Sequence, residues 1–200
     1  VGVVDIDAAQ GQKVAENLNT AFYKDFRGLL DKVDAVSIAT TTRSHHEIAM
    51  AFLNAGVDVL IEKPITRTVD EADELIALAE KRGRLIQVGH LERFNPAVVA
   101  MRDSIRDPQF IECNRLSIYQ PRGTDVSVVH DLMIHDIDLI LTFVKSDIRY
   151  CRALGTPLVT DNVDIANAHI EFENGAVANV TASRISNKSE RKFRLFQRDG

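Results

Sequence analysis

Cysteine and long hydrophobic runs are both scarce in this sequence of 200 residues. The two cysteines, Cys113 and Cys151, are too few for a disulfide framework, which favours a reducing compartment and predicts a cytoplasmic protein. Acids or histidines interrupt every hydrophobic stretch well before the roughly 18 residues that a membrane-spanning helix needs. The sequence therefore argues against a transmembrane protein.

Basic charge is also in the minority. The chain has 24 lysines and arginines against 29 aspartates and glutamates, so its net charge is −5. A chain of negative net charge has no general attraction for phosphate backbones or anionic lipid. We therefore expect neither a nucleic acid nor a membrane as a partner. A content of 45% hydrophobic and 26% charged residues is typical of a folded globular protein.

The first half of the chain alternates short hydrophobic runs with amphipathic helical patterns, which is typical of βαβ units around a parallel sheet. Strands are predicted at 1–4, 20–23, 35–39, 57–61 and 85–88. Helices are predicted at 8–17, 26–30, 44–55 and 69–82. The pattern predicts an α/β domain of the Rossmann type, with a doubly wound parallel sheet.

The pattern changes after His90. Helices are predicted at about 96–105 and 128–144, and strands at 110–119, 148–154, 165–172, 177–185 and 192–197. Asn174-Gly175 is a strong hairpin signal between two of these strands. We expect a dinucleotide-binding domain over 1–93 and an α+β domain with an open, largely antiparallel sheet over 94–200. Because one face of such a sheet needs covering, we expect a homodimer or homotetramer formed through it.

A glycine-rich phosphate loop of the form Gly-x-Gly-x-x-Gly is missing before the first predicted helix. Only four residues precede Asp5, and the chain starts on Val1 inside a hydrophobic run. We therefore expect the first domain to lack its first βα unit, roughly 30 residues. We likewise expect the second domain to be incomplete at its C-terminus.

Asp5 ends what would be the second strand of a Rossmann domain. An acid at that position can accept hydrogen bonds from an adenosine ribose, and its charge repels a 2′-phosphate, so NAD is favoured over NADP. The alternative is that Asp5 is a turn residue beside the helix cap Asp7. Both interpretations stay open at this point.

Lys63 follows a predicted buried strand and precedes Pro64. Ligands of an open α/β sheet bind beyond the carboxyl ends of its strands, so the ammonium group is expected in the ligand cleft. The alternative is a surface lysine paired with Glu62. Neighbours on a strand point to opposite faces, which weakens that pairing.

Asp131 and His135 lie four residues apart on the predicted helix 128–144, on the same stripe as Asp138. The carboxylate could orient the imidazole, which is suited to act as a base at neutral pH. The alternative is a solvated polar face with an intrahelical ion pair. His130 is rotated by about 140° from His135 on a straight helix, which disfavours a shared metal ion, and we assign no metal site.

Four motifs, in this order along the chain, resemble the Gfo/Idh/MocA family of nicotinamide-dependent sugar oxidoreductases. They are Thr40-Thr41-Thr42 with His45, Glu62-Lys63-Pro64, the junction from Gly89 to Pro96, and Asp131 with His135-Asp136-Ile137-Asp138. The sequence departs from the family at Thr41-Thr42, where Pro-Asn is more common.

The resemblance implies a nicotinamide dinucleotide cofactor, taken as NAD, and a role for each motif. Lys63 is expected to contact the reacting hydroxyl, His135 to be the general base and Asp131 to lie beside them. The residues expected around the cofactor are Asp5, Thr40, Thr41, His45, Glu62, Lys63 and Arg93. The Lys63–Pro64 peptide bond is expected to be cis.

The segment from Gln120 to Asp125 and the hairpin over 161–186 resemble a bacterial subgroup of the family associated with oxidation of UDP-N-acetylglucosamine at its 3-hydroxyl. The resemblance implies a sugar or sugar-nucleotide substrate. Because basic side chains suit a diphosphate, Arg115, Tyr119 and Arg122 are expected on the substrate side, together with Lys63 and His135.

The expected function is hydride transfer from a secondary hydroxyl of a sugar or sugar nucleotide to NAD. One alternative is a dehydrogenase of inositol or a simple sugar. Another is a sensor of the same fold that binds dinucleotide and sugar without reacting them. A metal-dependent hydrolase built on the His-Asp pairs is the third alternative, and it is disfavoured because the histidines do not share one face.

Overall fold

The computed structural model describes residues 2–121, 124 and 126–198. Two compact units make up the chain, Val1–Gly89 and His90–Gly200. This division falls slightly before the predicted boundary after residue 93. Among the described residues, no helix has the length and apolar character required to cross a membrane.

The first unit alternates strands with helices. In chain order its elements are β1 (Gly2–Val4), α1 (Ala8–Asn17), β2 (Ala21–Tyr23), a 3₁₀ turn (Phe26–Leu29), β3 (Ala35–Ile38), α2 (Thr42–Asn54), β4 (Asp58–Glu62), α3 (Val69–Arg82) and β5 (Ile86–Gly89). Strand β1 pairs with β2, and β3, β4 and β5 pair in that order, all in parallel. The predicted Rossmann-type parallel architecture is confirmed.

Helix α3 shows why the sequence specifies these boundaries so well. The Thr68 side chain accepts a hydrogen bond from the Glu71 N–H at the start of the helix. Lys81 and Arg82 stand in the last turn, where cations are favoured, and Gly83 ends the helix with a φ of 61°. The observed span is identical to the predicted one.

The core of the first unit lies between its helices and its parallel strands. Phe52 and Leu53 of α2, Ile61 of β4 and Leu75 of α3 are almost completely buried. Burial of each such side chain is worth about 1.5–3 kcal/mol. This packing fixes the strands whose carboxyl ends carry the candidate cofactor residues.

The second unit is built on one mixed sheet. Its elements are a 3₁₀ turn (Leu91–Phe94), α4 (Pro96–Met101), a 3₁₀ turn (Arg102–Ser104), β6 (Phe110–Leu116), a π-helical segment (Val129–Met133), α5 (Ile134–Phe143), β7 (Ile148–Thr156), β8 (Ile165–Phe172), β9 (Val177–Ser183) and β10 (Glu190–Phe196). The strand order is β10-β6-β9-β8-β7, parallel only between β6 and β9. The predicted open, largely antiparallel sheet is confirmed.

The helix predicted over 128–144 is not a single α-helix. The π-helical segment precedes α5, so a wheel drawn at 100° per residue misplaces side chains across this stretch. Asp138, which the wheel places on one stripe with Asp131 and His135, is only 7% exposed, whereas Leu141 on the same helix is 47% exposed. The physical reason for the burial of Asp138 is an ion pair with Arg93, described below.

Candidate functional site

The carboxyl ends of β3, β4 and β5 form one edge of the parallel sheet of the first unit. Thr40 lies just beyond β3, Glu62 and Lys63 lie at the end of β4, and Gly89 ends β5. In the sheet register, Glu62 is opposite Gly89. The structure thus brings two of the four predicted motifs, and Gly89 of a third, to the edge where ligands of such sheets bind.

Close packing at this edge explains the glycine at position 89. An alanine Cβ there would lie 3.0 Å from the carboxyl carbon of Glu62. The Glu62 carboxylate also accepts a hydrogen bond of 3.3 Å from the Lys63 N–H. The carboxylate is therefore held against the strand end, and a larger residue at position 89 would displace it.

His45, on α2, ties two loops of this edge together. Its Nδ1 lies 2.9 Å from the carbonyl oxygen of Pro64, and its Nε2 lies 3.1 Å from that of Thr40. The ring is only 1% exposed. The histidine expected to contact a dinucleotide directly is therefore buried, with both nitrogens against backbone carbonyls. It connects the loops after β3 and β4.

The remaining first-unit residues keep the positions that the sequence suggested. The Lys63–Pro64 peptide bond is cis, as the family resemblance implied. Thr40 and Thr41 are exposed at the start of α2. Asp5 directly follows β1, and its carboxylate accepts a hydrogen bond of 2.9 Å from the Asp7 N–H, so it takes part in the turn that leads into α1.

Asp131 and His135 belong to the second unit. Asp131 lies within the π-helical segment, and its N–H donates to the carbonyl oxygen of Ser127 at 3.0 Å. His135 is the second residue of α5. Both side chains are partly buried. The acid and the histidine are therefore presented by the junction between a π-helical and an α-helical segment.

Arg115 and Asp136 form a buried ion pair beside this junction. The Arg115 Nε and Nη2 donate to the two Asp136 oxygens at 2.9 and 2.7 Å, and Glu92 lies 3.6 Å from Nη1. The two residues are 6% and 3% exposed. Burial lowers the pKa of Arg115, but the hydrogen bonds to Asp136 together with the charges of Asp136 and Glu92 outweigh burial, so the pKa is raised. Arg115 was expected to bind substrate. In the structure it lies on β6 and pairs with Asp136 of α5.

A second arginine contacts α5 two residues further along the helix. Arg93 donates to both oxygens of Asp138, with its Nε at 2.7 Å, and this hydrogen bonding raises the pKa of Arg93. The His90 ring lies 3.7 Å from the same carboxylate. Arg93, expected at the cofactor, thus contacts α5 within the second unit.

Of the two further predicted substrate residues, the structure describes only Tyr119. Tyr119 is exposed shortly after the strand. Arg122 lies outside the described residues.

Sequence reasoning assigned no role to Asp136, and it placed Asp138 on a solvent-facing stripe. Both are buried charges in a largely apolar helix, and charged groups are rarely buried unless they are paired. The sequence signal for their burial was the spacing of Asp136 and Asp138. Two acids that are two residues apart lie on opposite sides of a helix, so they cannot share one solvated face. Their arginine partners are distant in sequence. Among the described residues, no group of three or more His, Cys, Asp or Glu side chains is placed to hold a metal ion.

Two family models match the chain. One, described as an oxidoreductase family with an NAD-binding Rossmann fold, matches residues 1–90. The other, the GFO/IDH/MocA C-terminal domain, matches residues 97–200. The two matches correspond to the two structural units.

Individual relatives agree with these matches. The UDP-N-acetylglucosamine 3-dehydrogenase of Acidithiobacillus ferrooxidans is 40% identical over 199 residues, which are 99% of this chain and 64% of that protein. A solved structure of that enzyme matches 99% of this chain and 66% of its own with a TM-score of 0.92. An inositol 2-dehydrogenase of Rubrobacter xylanophilus is 30% identical over 78% of this chain and 48% of that protein. The chain therefore spans less than two thirds of the length of these relatives.

Proposed function

The chain belongs to the Gfo/Idh/MocA family of oxidoreductases, and from this premise we propose that the protein containing it is an NAD-dependent dehydrogenase. Its substrate in this proposal is UDP-N-acetylglucosamine, oxidised at the 3-hydroxyl. The observation that carries the proposal is the 40% identity to a UDP-N-acetylglucosamine 3-dehydrogenase through both units of the chain. The identity therefore extends over the strand edge with Lys63 and the helix with His135.

The residues at the sheet edge fit a nicotinamide dinucleotide. Asp5 offers a carboxylate beyond β1, where an adenosine ribose could donate to it, and its negative charge favours NAD over NADP. The absence of a Cβ at Gly89 leaves room for the Glu62 carboxylate at the end of β4. Thr40 and Thr41 lie at the start of α2, while His45 joins the loops after β3 and β4. When bound, the cofactor accepts a hydride.

The protein side of the reaction is proton removal and charge stabilisation. His135 takes the proton of the reacting hydroxyl, and Asp131 orients the imidazole and stabilises its positive charge. The Lys63 ammonium group stabilises negative charge as it develops on the substrate oxygen. Arg115 and Arg93 act indirectly in this scheme, because their ion pairs hold the helix that presents His135. Tyr119 and Arg122 remain proposed substrate contacts.

The proposal is tested by assaying the full-length protein for NADH formation. UDP-N-acetylglucosamine, other UDP-sugars and myo-inositol are compared with NAD and with NADP. We expect absorbance of NADH to increase only with UDP-N-acetylglucosamine and NAD. An increase with inositol alone would favour the second candidate, an inositol dehydrogenase, which the 30% identical relative supports. No increase with any substrate, together with binding of dinucleotide, would indicate a sensor.

The proposal extends to assembly and location. Strand β7 is exposed along its whole length and lies at one edge of the mixed sheet, with Ile148, Tyr150 and Leu154 among its exposed side chains. Exposed apolar groups on a sheet favour association with another copy. We propose a cytoplasmic homodimer or homotetramer formed through this sheet. Sedimentation of the full-length protein should give a multiple of its monomer mass.

A further inference from the structure

A fully buried carboxylate organises the loop before β8. Asp164 is 0% exposed, and one of its oxygens accepts hydrogen bonds from the N–H groups of Leu158, Val159 and Thr160 at 2.8, 2.7 and 2.9 Å. The Thr160 hydroxyl donates to the other oxygen at 2.8 Å. Burial raises the pKa of Asp164, but these hydrogen bonds outweigh it and hold the pKa far below its usual value. The carboxylate therefore stays charged and fixes the loop around it.

Arg184 links this carboxylate to a different part of the chain. It follows β9, is 4% exposed, and places its Nε 3.9 Å from the nearer Asp164 oxygen. Its Nη2 donates to the carbonyl oxygen of Val126 at 2.8 Å. A buried guanidinium is stable only with such partners. The arginine thus connects the organised loop to the segment that leads into the π-helical segment.

Two further hydrogen bonds join the same segments. The Asn162 side chain donates to the carbonyl oxygen of Thr124 at 2.9 Å. The Val128 N–H donates to the carbonyl oxygen of Val163 at 2.8 Å. Positions 124, 126 and 128 are therefore all held by the loop or by Arg184, immediately before the π-helical segment that carries Asp131.

From this geometry we infer that Asp164 and Arg184 are positioning residues for Asp131 and His135. π-Helical geometry is rare, so a segment of this kind needs support from outside the helix. Arg184 binds the carbonyl oxygen of Val126, three residues before the π-helical segment begins. Asp164 and Arg184 together therefore fix the start of the segment that carries Asp131. The inference rests on the proposed function for the roles of Asp131 and His135. A displacement of about 1 Å in a catalytic group can cost about 100-fold in rate.

The test compares Arg184→Gln and Arg184→Lys in the full-length protein. Arg184→Gln removes the charge, whereas Arg184→Lys keeps a cation beside Asp164. We expect kcat to fall by about 100-fold in the glutamine variant with KM for NAD unchanged, and the lysine variant to recover part of it. The matched control is Arg194→Gln, which removes an exposed arginine paired with Glu112 on the same sheet and should leave kcat unchanged.

Hydrogen exchange gives a second measurement that needs no substrate. We expect amides over 126–135 to exchange about tenfold faster in Arg184→Gln, while those of β8 and β9 stay protected. Unchanged exchange over 126–135 in Arg184→Gln would overturn the inference, whatever the activity of the variant. Equal acceleration across the whole sheet would also overturn it, because it would show that Arg184 only stabilises the fold. Failure of the proposed function appears separately, as a wild-type protein without turnover.

Discussion

The two units hold their candidate site residues by different means. In the first unit the residues follow parallel strands, and a buried histidine connects the loops through backbone carbonyls. In the second unit the residues lie on a helix that two arginine–carboxylate pairs hold in place, the buried Arg115–Asp136 pair and the Arg93–Asp138 pair, in which only the carboxylate is buried. Sheet topology therefore places the first set and His45 adds one contact between its loops, whereas the second set depends on arginine–carboxylate contacts to other elements. The comparison predicts different responses to mutation in the two units.

The largest effect is expected from Asp136→Asn. This change removes the carboxylate that holds the buried Arg115 guanidinium at two atoms and leaves it only the more distant Glu92 carboxylate. Loss of one member of a buried ion pair costs about 3–5 kcal/mol. Chemical denaturation should show this loss in the free energy of unfolding. The control, Glu112→Gln, removes an exposed partner of Arg194 and should cost at most about 1 kcal/mol. Equal losses in both variants would contradict the importance of burial.

His135→Ala should give the next largest effect, on catalysis and not on stability. Removal of a general base typically lowers the rate by about 100-fold or more. The measurement is kcat with NAD and UDP-N-acetylglucosamine at saturation, accompanied by dinucleotide binding, which should be unchanged. His130→Ala, at an exposed neighbouring position, is the control and should retain activity. If both variants turn over like the wild type, His135 is not the base.

Much of the first unit could be predicted from the sequence because local signals specify it. The cap Thr68, the cation pair Lys81 and Arg82 and the terminal Gly83 all act within a few residues of the helix they delimit. Once the parallel strands are placed, their carboxyl ends meet at one edge without further information. The position of Lys63 follows from this rule.

The side-chain positions on the helix of the second unit could not be predicted from sequence periodicity. A helical wheel assumes one constant turn, and the π-helical segment before α5 violates that assumption. The partners of Asp136 and Asp138 lie on β6 and in the turn after β5, far along the chain. Arg115 and Arg93 were therefore expected at ligands, whereas the structure places them against the helix.

A smaller effect is expected from His45→Asn in the first unit. Asparagine is shorter than the imidazole and cannot reach both the Pro64 and the Thr40 carbonyl oxygens, so one buried acceptor loses its contact at a cost of about 1–3 kcal/mol. KM for NAD should increase because the two loops at the sheet edge are no longer joined. His46→Asn is the matched control, since that partly exposed histidine pairs with Glu74 on α3. A KM increase in the control alone would contradict this assignment.

The smallest effect on stability is expected from His169→Gln. This change tests whether an exposed charged pair in the second unit contributes less than a buried one. The His169 ring contacts Asn179 and Glu171 on the exposed face of the sheet, and the Asn179 hydrogen bond, followed by the Glu171 contact, raises the pKa. A raised folded-state pKa gives stability that is complete below the unfolded value of about 6.5 and is lost as the pH rises through the folded value. The difference in Tm between wild type and His169→Gln should therefore shrink as the pH rises above this range. A Tm difference that grows with pH would contradict the raised pKa of His169. A small Tm difference that shrinks with pH would support the view that exposed pairs contribute far less than the buried Arg115–Asp136 pair.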